Sequence, residues 1–266
     1  MTNKLNADAV RHVVRQNYAG VAQQKGATCG CRGTETSCCG KPGAKDISRR
    51  LGYSDEEVNA VPDGANMGLG CGNPQAIAAL KPGETVLDLG CGGGFDCFLA
   101  AQRVGQTGRV IGVDMTPEMV SKARANARQG QYANVEFRLG EIEALPVADG
   151  IADVIISNCV INLSPEKARV FREAFRVLKP GGRLAISDIV ATAEMPEEIR
   201  NNLALLSGCV SGASSIDAIE QMLGDAGFEQ ITIRCNEASR ELIKAWAPGQ
   251  GIEDYVVSAT IEAIKP

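Results

Sequence analysis

Three cysteines are the residues of this chain best suited to unusual chemistry. Cys71 lies between two glycines, Cys159 follows an asparagine, and Cys209 follows a glycine. They flank the segment 87–95, which reads Leu-Asp-Leu-Gly-Cys-Gly-Gly-Gly-Phe and is typical of a nucleotide-cofactor loop. Thiolates are soft donors that select soft metals and metalloids. A thiol-rich pocket beside a cofactor that donates a carbon group therefore suggests chemistry on a soft element.

The glycine loop limits which cofactors fit. Gly90, Gly92 and Gly94 alternate with other residues after a predicted strand and before a predicted helix, the context in which such a motif is informative. Glycines there let the backbone approach a ligand without an intervening Cβ. Asp114 ends the next predicted strand, where a carboxylate can accept hydrogen bonds from both hydroxyls of a ribose. These features fit NAD and S-adenosylmethionine equally well.

Asp88, which directly precedes the loop, favours S-adenosylmethionine. A carboxylate at this position would repel the pyrophosphate of a dinucleotide, whereas it would attract a methionine ammonium or sulfonium. Glu141, after the third predicted strand, could contact the adenine amino group. We therefore predict S-adenosylmethionine as the cofactor. The predicted cofactor-binding residues are Asp88, Gly90, Cys91, Gly92, Asp114, Met115, Glu141, Ile142 and Asn158.

Composition and charge narrow the range of partners. The chain has 266 residues, of which 44% are hydrophobic and 22% charged, as in an ordinary globular protein. A net charge of −5 and an aromatic content of 4% argue against a nucleic-acid surface. There is no apolar run of about 20 residues and no signal-peptide pattern at the start. We expect a cytoplasmic, monomeric protein with small-molecule partners, bound to neither nucleic acid nor membrane.

The other cysteines have alternative explanations. The chain contains ten cysteines but one histidine, His12, so imidazole-based catalysis and histidine-rich metal sites are disfavoured. Cys91 and Cys97 are expected to pack near the glycine loop, and Cys235 is expected to be buried on a late strand. Four N-terminal cysteines could bind zinc or form a redox loop: Cys29, Cys31, Cys38 and Cys39.

Hydrophobic periodicity predicts an α/β fold with a doubly wound, mostly parallel, Rossmann-like sheet. Predicted strands cover 85–89, 109–114, 135–139, 153–157, 183–188, 230–236 and 255–264. Predicted helices cover 7–22, a short segment after the Ser54 capping box, and 95–103, 117–129, 166–178, 197–206 and 216–226. Residues 25–45 are predicted as a loop and 179–182 as a turn.

Changes in composition divide the chain into three predicted parts. Residues 1–70 form a helical, cysteine-rich extension, and residues 71–190 form the S-adenosylmethionine-binding Rossmann-like domain. Residues 191–266 supply helices on the substrate side and strands that complete the sheet.

Four short segments, considered together, resemble one known family. They are Leu-Gly-Cys-Gly-Asn-Pro at 69–74, the loop at 88–96, Ser-Asn-Cys-Val-Ile-Asn-Leu at 157–163, and Gly-Cys at 208–209. The family is that of the arsenite S-adenosylmethionine methyltransferases, and the resemblance runs from about residue 60 to 212. The glycine loop is shared by many methyltransferases, whereas the 157–163 segment and the later cysteine are specific to this family.

The resemblance implies an enzyme that methylates arsenite and methylarsenite for arsenic detoxification. It implies that Cys71, Cys159 and Cys209 bind trivalent arsenic, whose lone pair attacks the sulfonium methyl without a general base. Methylation oxidises the arsenic to the pentavalent state. In the family, cysteine pairs return it to the trivalent state, with thioredoxin or glutathione as the thiol reductant. The resemblance assigns a part in this step to Cys38 or Cys39.

The chain departs from the family at one position, and two alternative functions are also consistent with its cysteines. Some members carry an aromatic residue two positions before the first arsenic cysteine, where this chain has Leu69. A methyltransferase for another small soft or organic acceptor would leave the cysteines with a structural role. A non-catalytic metalloid-binding protein would need no methyl transfer, although the intact cofactor motif argues against it.

Overall fold

An eight-stranded sheet forms the centre of the fold in the computed structural model, which describes residues 6–23, 43–206 and 208–266. The main strand order is β3-β2-β1-β4-β5-β8-β7, and β6 pairs with β5. The strands are β1 Thr85–Leu89, β2 Arg109–Asp114, β3 Val135–Leu139, β4 Ala152–Asn158, β5 Leu178–Ala191, β6 Ser214–Ser215, β7 Glu229–Asn236 and β8 Val256–Ile264.

Helices cover both faces of this sheet and its carboxyl-terminal edge. They are α1 Ala7–Gln23, α2 Ala44–Arg50, α3 Asp55–Asn59, α4 Gln75–Ala78, α5 Phe95–Val104, α6 Pro117–Gln129, α7 Lys167–Val177, α8 Glu197–Arg200, α9 Leu203–Leu206, α10 Ile216–Ala226 and α11 Ser239–Lys244. Single turns of 3₁₀-helix cover Ile161–Leu163 and Ile252–Asp254.

The first five strands are parallel, whereas β8 is antiparallel to both of its neighbours, β5 and β7. Parallel neighbours need crossover connections, which α5, α6 and α7 supply. The predicted doubly wound, mostly parallel α/β class is therefore confirmed. No described helix is both long enough and apolar enough to span a membrane.

Successive residues of the central strands belong to two cores on opposite faces of the sheet. Leu87 and Ile155 pack in the core that contains α7 and α10. Val86 and Ile156 pack in the core that contains α5 and α6. Side chains alternate between the two faces of a strand, and a parallel sheet covered on both faces needs apolar residues at consecutive positions. This explains the unbroken apolar runs from which the strands were predicted.

The predicted turn at 179–182 lies inside β5 instead. The pairing of β4 with β5 shifts from Ala152 opposite Leu178 to Val154 opposite Arg183, so the intervening residues form a bulge. Gly181 adopts φ +76°, and its N–H donates to Lys265 O at 2.7 Å. The glycines therefore allow a bend while the segment pairs with the end of the chain.

Two other local predictions also differ from the structure. The helix predicted over 197–206 is divided into α8 and α9, because Asn201 and Asn202 interrupt it and the Asn202 carboxamide accepts a hydrogen bond from Leu205 N at 3.3 Å. Cys235 is exposed, not buried, because it lies at the end of β7, an edge strand whose last three residues are all exposed.

Candidate active site

A cavity of about 270 Å³ opens at the carboxyl ends of β1 and β4. The strand order reverses between these two strands, because β1 leads to β2 on one side and β4 leads to β5 on the other. Such a switch point leaves a crevice in which α/β proteins bind ligands. The glycine loop after β1 and the Asn158-Cys159 segment after β4 both line this cavity.

Glycine is required in the loop because of its backbone conformation and the space around it. Gly90 adopts φ +69°, and a Cβ there would lie 2.4 Å from Val160 Cγ2. Gly94 adopts φ +93°, and a Cβ there would lie 2.8 Å from the ring of Phe98. These contacts pack the loop tightly against both neighbouring elements, so that its backbone lines the cavity.

Asp114 is fixed at the cavity by two backbone donors. Gly92 N donates to its Oδ2 at 3.0 Å, and Thr116 N donates to its Oδ1 at 2.8 Å. Burial raises the pKa of Asp114, although the two N–H groups act in the opposite direction. The remaining lone pairs of this carboxylate can accept hydrogen bonds from a diol.

Asp88 and Asp96 place two acidic side chains in the cavity where a cation could bind. Both carboxylates are buried and both line the cavity. Burial and the nearby Asp96 raise the pKa of Asp88 well above its usual range, and burial raises the pKa of Asp96 to about 6. A bound cation would stabilise the ionised form of both groups. The three carboxyl groups of Asp88, Asp96 and Asp114 therefore fit the predicted cofactor, which carries an ammonium, a sulfonium and a ribose.

The remaining predicted cofactor residues divide into two groups. Cys91, Met115, Ile142 and Asn158 line the cavity, as do Asp88, Gly90, Gly92 and Asp114. Glu141 lies outside the lining, where its carboxylate pairs with Arg15 at 3.2 Å and with Arg11 at 3.5 Å. Its predicted contact with adenine stays a prediction.

The first helix forms one wall of the cavity. Arg11, Val14 and Tyr18 of α1 line it, together with Glu143 and Ser164 from the loops after β3 and β4. The sequence predicted the helix but not its position. Its apolar face gave no information about which of several surfaces it would cover.

Two of the three predicted arsenic-binding thiols lie side by side with a carboxylate. The Sγ atoms of Cys71 and Cys159 and a carboxylate oxygen of Asp188 are all within 4.8 Å of one another. Cys209 Sγ donates to the carbonyl oxygen of Cys159 at 2.8 Å, so the third thiol lies next to the residue that carries the second. Cys159 and Cys209 line the cavity, and all three cysteines are buried. The structure thus brings together residues that are up to 138 positions apart in the sequence.

Two of these cysteines have an unusual backbone conformation. Cys159 has φ +58° and Cys209 has φ +63°, in the left-handed region that residues with a Cβ rarely occupy. Strain of this kind persists where the surrounding structure enforces it, and it is concentrated at functional sites. Cys159 N donates to Ser187 O at 2.8 Å, which holds the strained residue against β5.

Burial keeps these thiols protonated at neutral pH. It raises the pKa of Cys71 to about 11. The adjacent Cys159 thiol and burial raise the pKa of Cys209 well above its usual range. The pKa of Cys159 is also raised: its contact with Cys209 lowers the value, but the Cys71 thiol and burial outweigh that effect.

Asp188 is a site residue that the sequence did not reveal. Its carboxylate accepts hydrogen bonds from Ile161 N at 2.9 Å, Asn162 Nδ2 at 3.0 Å and Ile189 N at 2.8 Å. Burial raises its pKa to about 6. An acidic residue near the end of a strand is a weak signal alone, and only its position directly after Ser187, which pairs with Asn158 at the end of β4, could have suggested it.

The predictions for the other cysteines have different outcomes. Cys97 is fully buried, as expected, and its thiol donates to Asp88 Oδ2 at 3.1 Å. Four cysteines lie outside the described residues, including the two predicted redox residues: Cys29, Cys31, Cys38 and Cys39. Their predicted roles therefore stay predictions.

Comparisons with known proteins agree with this geometry. A family model described as a methyltransferase domain matches residues 80–227. An arsenite methyltransferase from Halobacterium salinarum is 54% identical over 97% of this chain and 67% of its own length. The arsenite methyltransferase of Homo sapiens is 39% identical over 74% of this chain and 52% of its own length. The chain thus spans about two thirds of the halobacterial relative and about half of the human one.

A solved structure gives the same assignment. The crystal structure of an arsenic(III) S-adenosylmethionine methyltransferase from Chlamydomonas reinhardtii superposes with a TM-score of 0.61 at 34% identity. The match covers 85% of this chain and 74% of the algal chain. The family resemblance found from the sequence is therefore confirmed, and with it the cofactor class. The chain belongs to the S-adenosylmethionine-dependent arsenite methyltransferase family.

Proposed function

We propose that this protein transfers a methyl group from S-adenosylmethionine to trivalent arsenic held by Cys71, Cys159 and Cys209. The observation that supports this most directly is the position of the thiols. Cys159 and Cys209 line the same cavity as the glycine loop, and Cys71 lies beside Cys159. A soft acceptor bound there would lie next to a cofactor held by the loop.

The buried, protonated thiols suit arsenite as the form that enters. Arsenite at neutral pH is an uncharged trihydroxide. Each thiol can form an arsenic–sulfur bond while its proton leaves with an arsenic-bound hydroxide as water. Three such exchanges balance without a base and without net release of protons. Raised thiol pKa values therefore do not prevent binding, and the bound arsenic keeps its lone pair.

The chain's own residues position the reactants and exclude water. When bound, S-adenosylmethionine supplies an electrophilic methyl group on its sulfonium. Asp88 and Asp96 would hold its cationic groups, and Asp114 would hold its ribose. The arsenic lone pair is the nucleophile, so no general base has to remove a proton. Catalysis then depends on proximity in a dry site, where misplacement of about 1 Å can reduce the rate about 100-fold.

The substrates and the reductant form part of the same proposal. Methylation leaves pentavalent arsenic, so a further cycle needs two electrons from a pair of thiols. Arsenite and methylarsenite are the proposed acceptors, and thioredoxin or glutathione is the proposed source of electrons. Cys38 or Cys39 is the proposed contact point for that reductant.

Product analysis tests the proposal. Reduced protein is incubated with arsenite and S-adenosylmethionine, and arsenic species and S-adenosylhomocysteine are quantified by mass spectrometry. We expect methylated arsenic and S-adenosylhomocysteine in matching amounts. Cys159→Ser should reduce the rate by about 100-fold or more, because arsenic would lose a ligand that also orients its lone pair. Cys235→Ser is the matched control, because that thiol is exposed and does not line the cavity.

The outcomes separate the alternatives. Unchanged methylation of arsenite by Cys159→Ser would overturn the proposed role of the thiols. Binding of arsenite without any product would favour a metalloid-binding protein. Binding of the cofactor without binding of arsenite would favour a different acceptor.

A further inference from the structure

Asn158 connects the loop that carries Cys71 to the cofactor side of the cavity. Its Oδ1 accepts a hydrogen bond from Cys71 N at 3.0 Å, and its Nδ2 donates to Gly72 O at 2.9 Å. The same Nδ2 donates to the hydroxyl of Tyr53 at 3.0 Å and approaches Asp96 Oδ2 at 3.4 Å. One carboxamide therefore contacts three segments that are distant from it in the sequence.

The Cys71 loop packs directly on this carboxamide. Gly70 has φ +116°, and a Cβ there would lie 2.7 Å from Asn158 Nδ2. On its other side, Ser258 Oγ donates to Cys71 O at 2.7 Å. A Cβ at Gly72 would lie 2.9 Å from Ser187 Oγ. Asn158 thus contacts the loop both by packing at Gly70 and by hydrogen bonds at Cys71 and Gly72, so a rotation of the carboxamide would break those bonds and disturb the Cys71 backbone.

On the side away from Cys71, Asn158 is hydrogen-bonded to Tyr53, which in turn is hydrogen-bonded to Asp96. The Tyr53 hydroxyl donates to Asp96 Oδ1 at 2.8 Å while it accepts from Asn158. Gln75 Nε2 donates to Asp96 O at 2.9 Å. Asp96 lines the cavity, whereas Tyr53 does not, so Tyr53 can affect ligands only through its neighbours. Its ring packs on Phe95 with centroids 4.8 Å apart.

We propose that Tyr53 is a positioning residue that couples occupancy of the cofactor cavity to the placement of the Cys71 thiol, through Asp96 and Asn158. This inference rests on the proposed function, because it assumes that Cys71 is an arsenic ligand. A ligand in the cavity contacts Asp96 and Asn158 and restricts their side chains. Restriction of Asn158 orders Cys71 next to Cys159. The cofactor and arsenite therefore bind with positive and reciprocal cooperativity.

The experiment measures the affinity for arsenite with and without S-adenosylhomocysteine, which occupies the cofactor cavity but has no methyl to transfer. The chain contains one tryptophan, and it lines the cavity, so its fluorescence reports both titrations. In the unmodified protein we expect S-adenosylhomocysteine to increase the affinity for arsenite by about fivefold or more. Arsenite should increase the affinity for S-adenosylhomocysteine by the same factor.

Tyr53→Phe tests the coupling because it removes the hydroxyl and keeps the ring. We expect the coupling factor to fall to about twofold or less, while each ligand alone binds within about twofold of its original affinity. The matched control is Tyr132→Phe, which also removes a hydrogen-bonded hydroxyl from a ring stacked on phenylalanine, but outside the cavity lining. It should leave the coupling factor unchanged. A purely structural role for Tyr53 would lower the thermal midpoint without changing the coupling factor.

A second variant covers the case in which Tyr53→Phe does not fold. Asn158→Asp keeps an acceptor for Cys71 N but loses the donor to Tyr53 and Gly72, and it should also abolish the coupling. Unchanged coupling in either folded variant would overturn the inference. If the unmodified protein binds S-adenosylhomocysteine but does not bind arsenite, the proposed function itself is contradicted. If it binds both ligands without coupling, only this inference fails.

Discussion

Arg11 of the first helix donates two hydrogen bonds to Glu143 Oε1, at 3.2 and 3.3 Å, across 132 residues of sequence. The side chain of Arg11 is 10% exposed and that of Glu143 is 4% exposed, so this is a buried ion pair. Ser164 Oγ donates to the same oxygen at 2.7 Å, and Glu166 also pairs with Arg11. The ion pair attaches α1 to the wall of the cavity.

The variant Arg11→Met should release α1 from the cavity. It leaves the buried Glu143 carboxylate without its cationic partner. Removal of one partner from a buried ion pair typically lowers the free energy of unfolding by about 3–5 kcal/mol. Undocking of the helix exposes Glu143 to water, so local opening is the easier response. We expect faster amide hydrogen exchange in 7–23 with little change in β1, and an affinity for S-adenosylhomocysteine about tenfold lower.

A surface ion pair provides the control. Arg49 pairs with Asp46 and Asp55 at an exposed site, so Arg49→Met should leave both the stability and the exchange of α1 nearly unchanged. Adding Glu143→Gln to Arg11→Met should restore part of the protection of α1. Unchanged exchange in α1 of the Arg11 variant would show that the ion pair does not hold the helix.

Stability should fall as the solution becomes alkaline. Burial raises the pKa of Cys71 and of Cys91 to about 11. In the unfolded chain these thiols ionise near pH 8.5. Between these values the folded state binds more protons than the unfolded state, so the free energy of unfolding decreases with rising pH. The total loss is roughly 3–3.5 kcal/mol for each such thiol, at about 1.4 kcal/mol for each unit of pKa.

Urea unfolding at several pH values from about 7.5 to 10 measures this effect. Cys91→Ala should reduce the slope of stability against pH, because one thiol with a raised pKa is removed. Cys235→Ser, at an exposed position, should retain most of the slope. A stability that stays constant over the whole range would contradict the raised pKa values.

Two glycines with nearly the same positive φ allow the effect of backbone strain to be compared with that of a steric collision. Gly90 has φ +69° and Gly105 has φ +68°. A Cβ at Gly90 would lie 2.4 Å from Val160, whereas a Cβ at Gly105 would have no atom within 4 Å. Gly105 has ψ −173°, a combination that is nearly restricted to glycine, so Gly105→Ala should lose about 1–3 kcal/mol of stability from backbone strain alone.

Gly90→Ala should lose at least about 1–3 kcal/mol more, because the new methyl group collides with Val160. It should also weaken the binding of S-adenosylhomocysteine by about tenfold or more, since the loop must move. Urea unfolding and a titration of both variants check this. Equal losses of stability for the two variants would mean that Val160 moves aside at little cost.

The sheet and the glycine loop were predictable because their signals are local. Apolar runs bounded by glycine and proline indicate strands, and the spacing of Gly90, Gly92 and Gly94 indicates a ligand-binding turn after one of them. These signals depend only on neighbouring residues, and the mostly parallel arrangement of the strands follows from their alternation with helices.

Features that depend on distant partners were not predictable. Arg11 looks like a solvated residue of an amphipathic helix until its partner Glu143 is known. Asp188 looks like any acidic residue near a strand end until β5 is aligned with β4. Cys235 was wrongly expected to be buried, because strand periodicity does not identify an edge strand. The sequence contains no direct record of these long-range pairings.

Asp188 gives the last prediction, because it orders the chain after Cys159 and lies beside the thiols. Both of its oxygens accept N–H donors, from Ile161, Asn162 and Ile189. In Asp188→Asn an NH₂ group replaces one oxygen and faces one of these donors, which leaves a buried donor unsatisfied at a cost of about 1–3 kcal/mol. The segment after Cys159 should shift, and the affinity for arsenite should fall by about tenfold or more.

The affinity for S-adenosylhomocysteine should stay within about twofold, because Asp188 does not line the cofactor cavity. The control is Asp153→Asn at the opposite end of β4, where the carboxylate accepts from Thr85 N and pairs with Lys179. That variant should lose stability without a selective loss of arsenite binding. If Asp188→Asn weakened both ligands equally, Asp188 would support the whole carboxyl edge of the sheet and would have no specific part in placing the thiols.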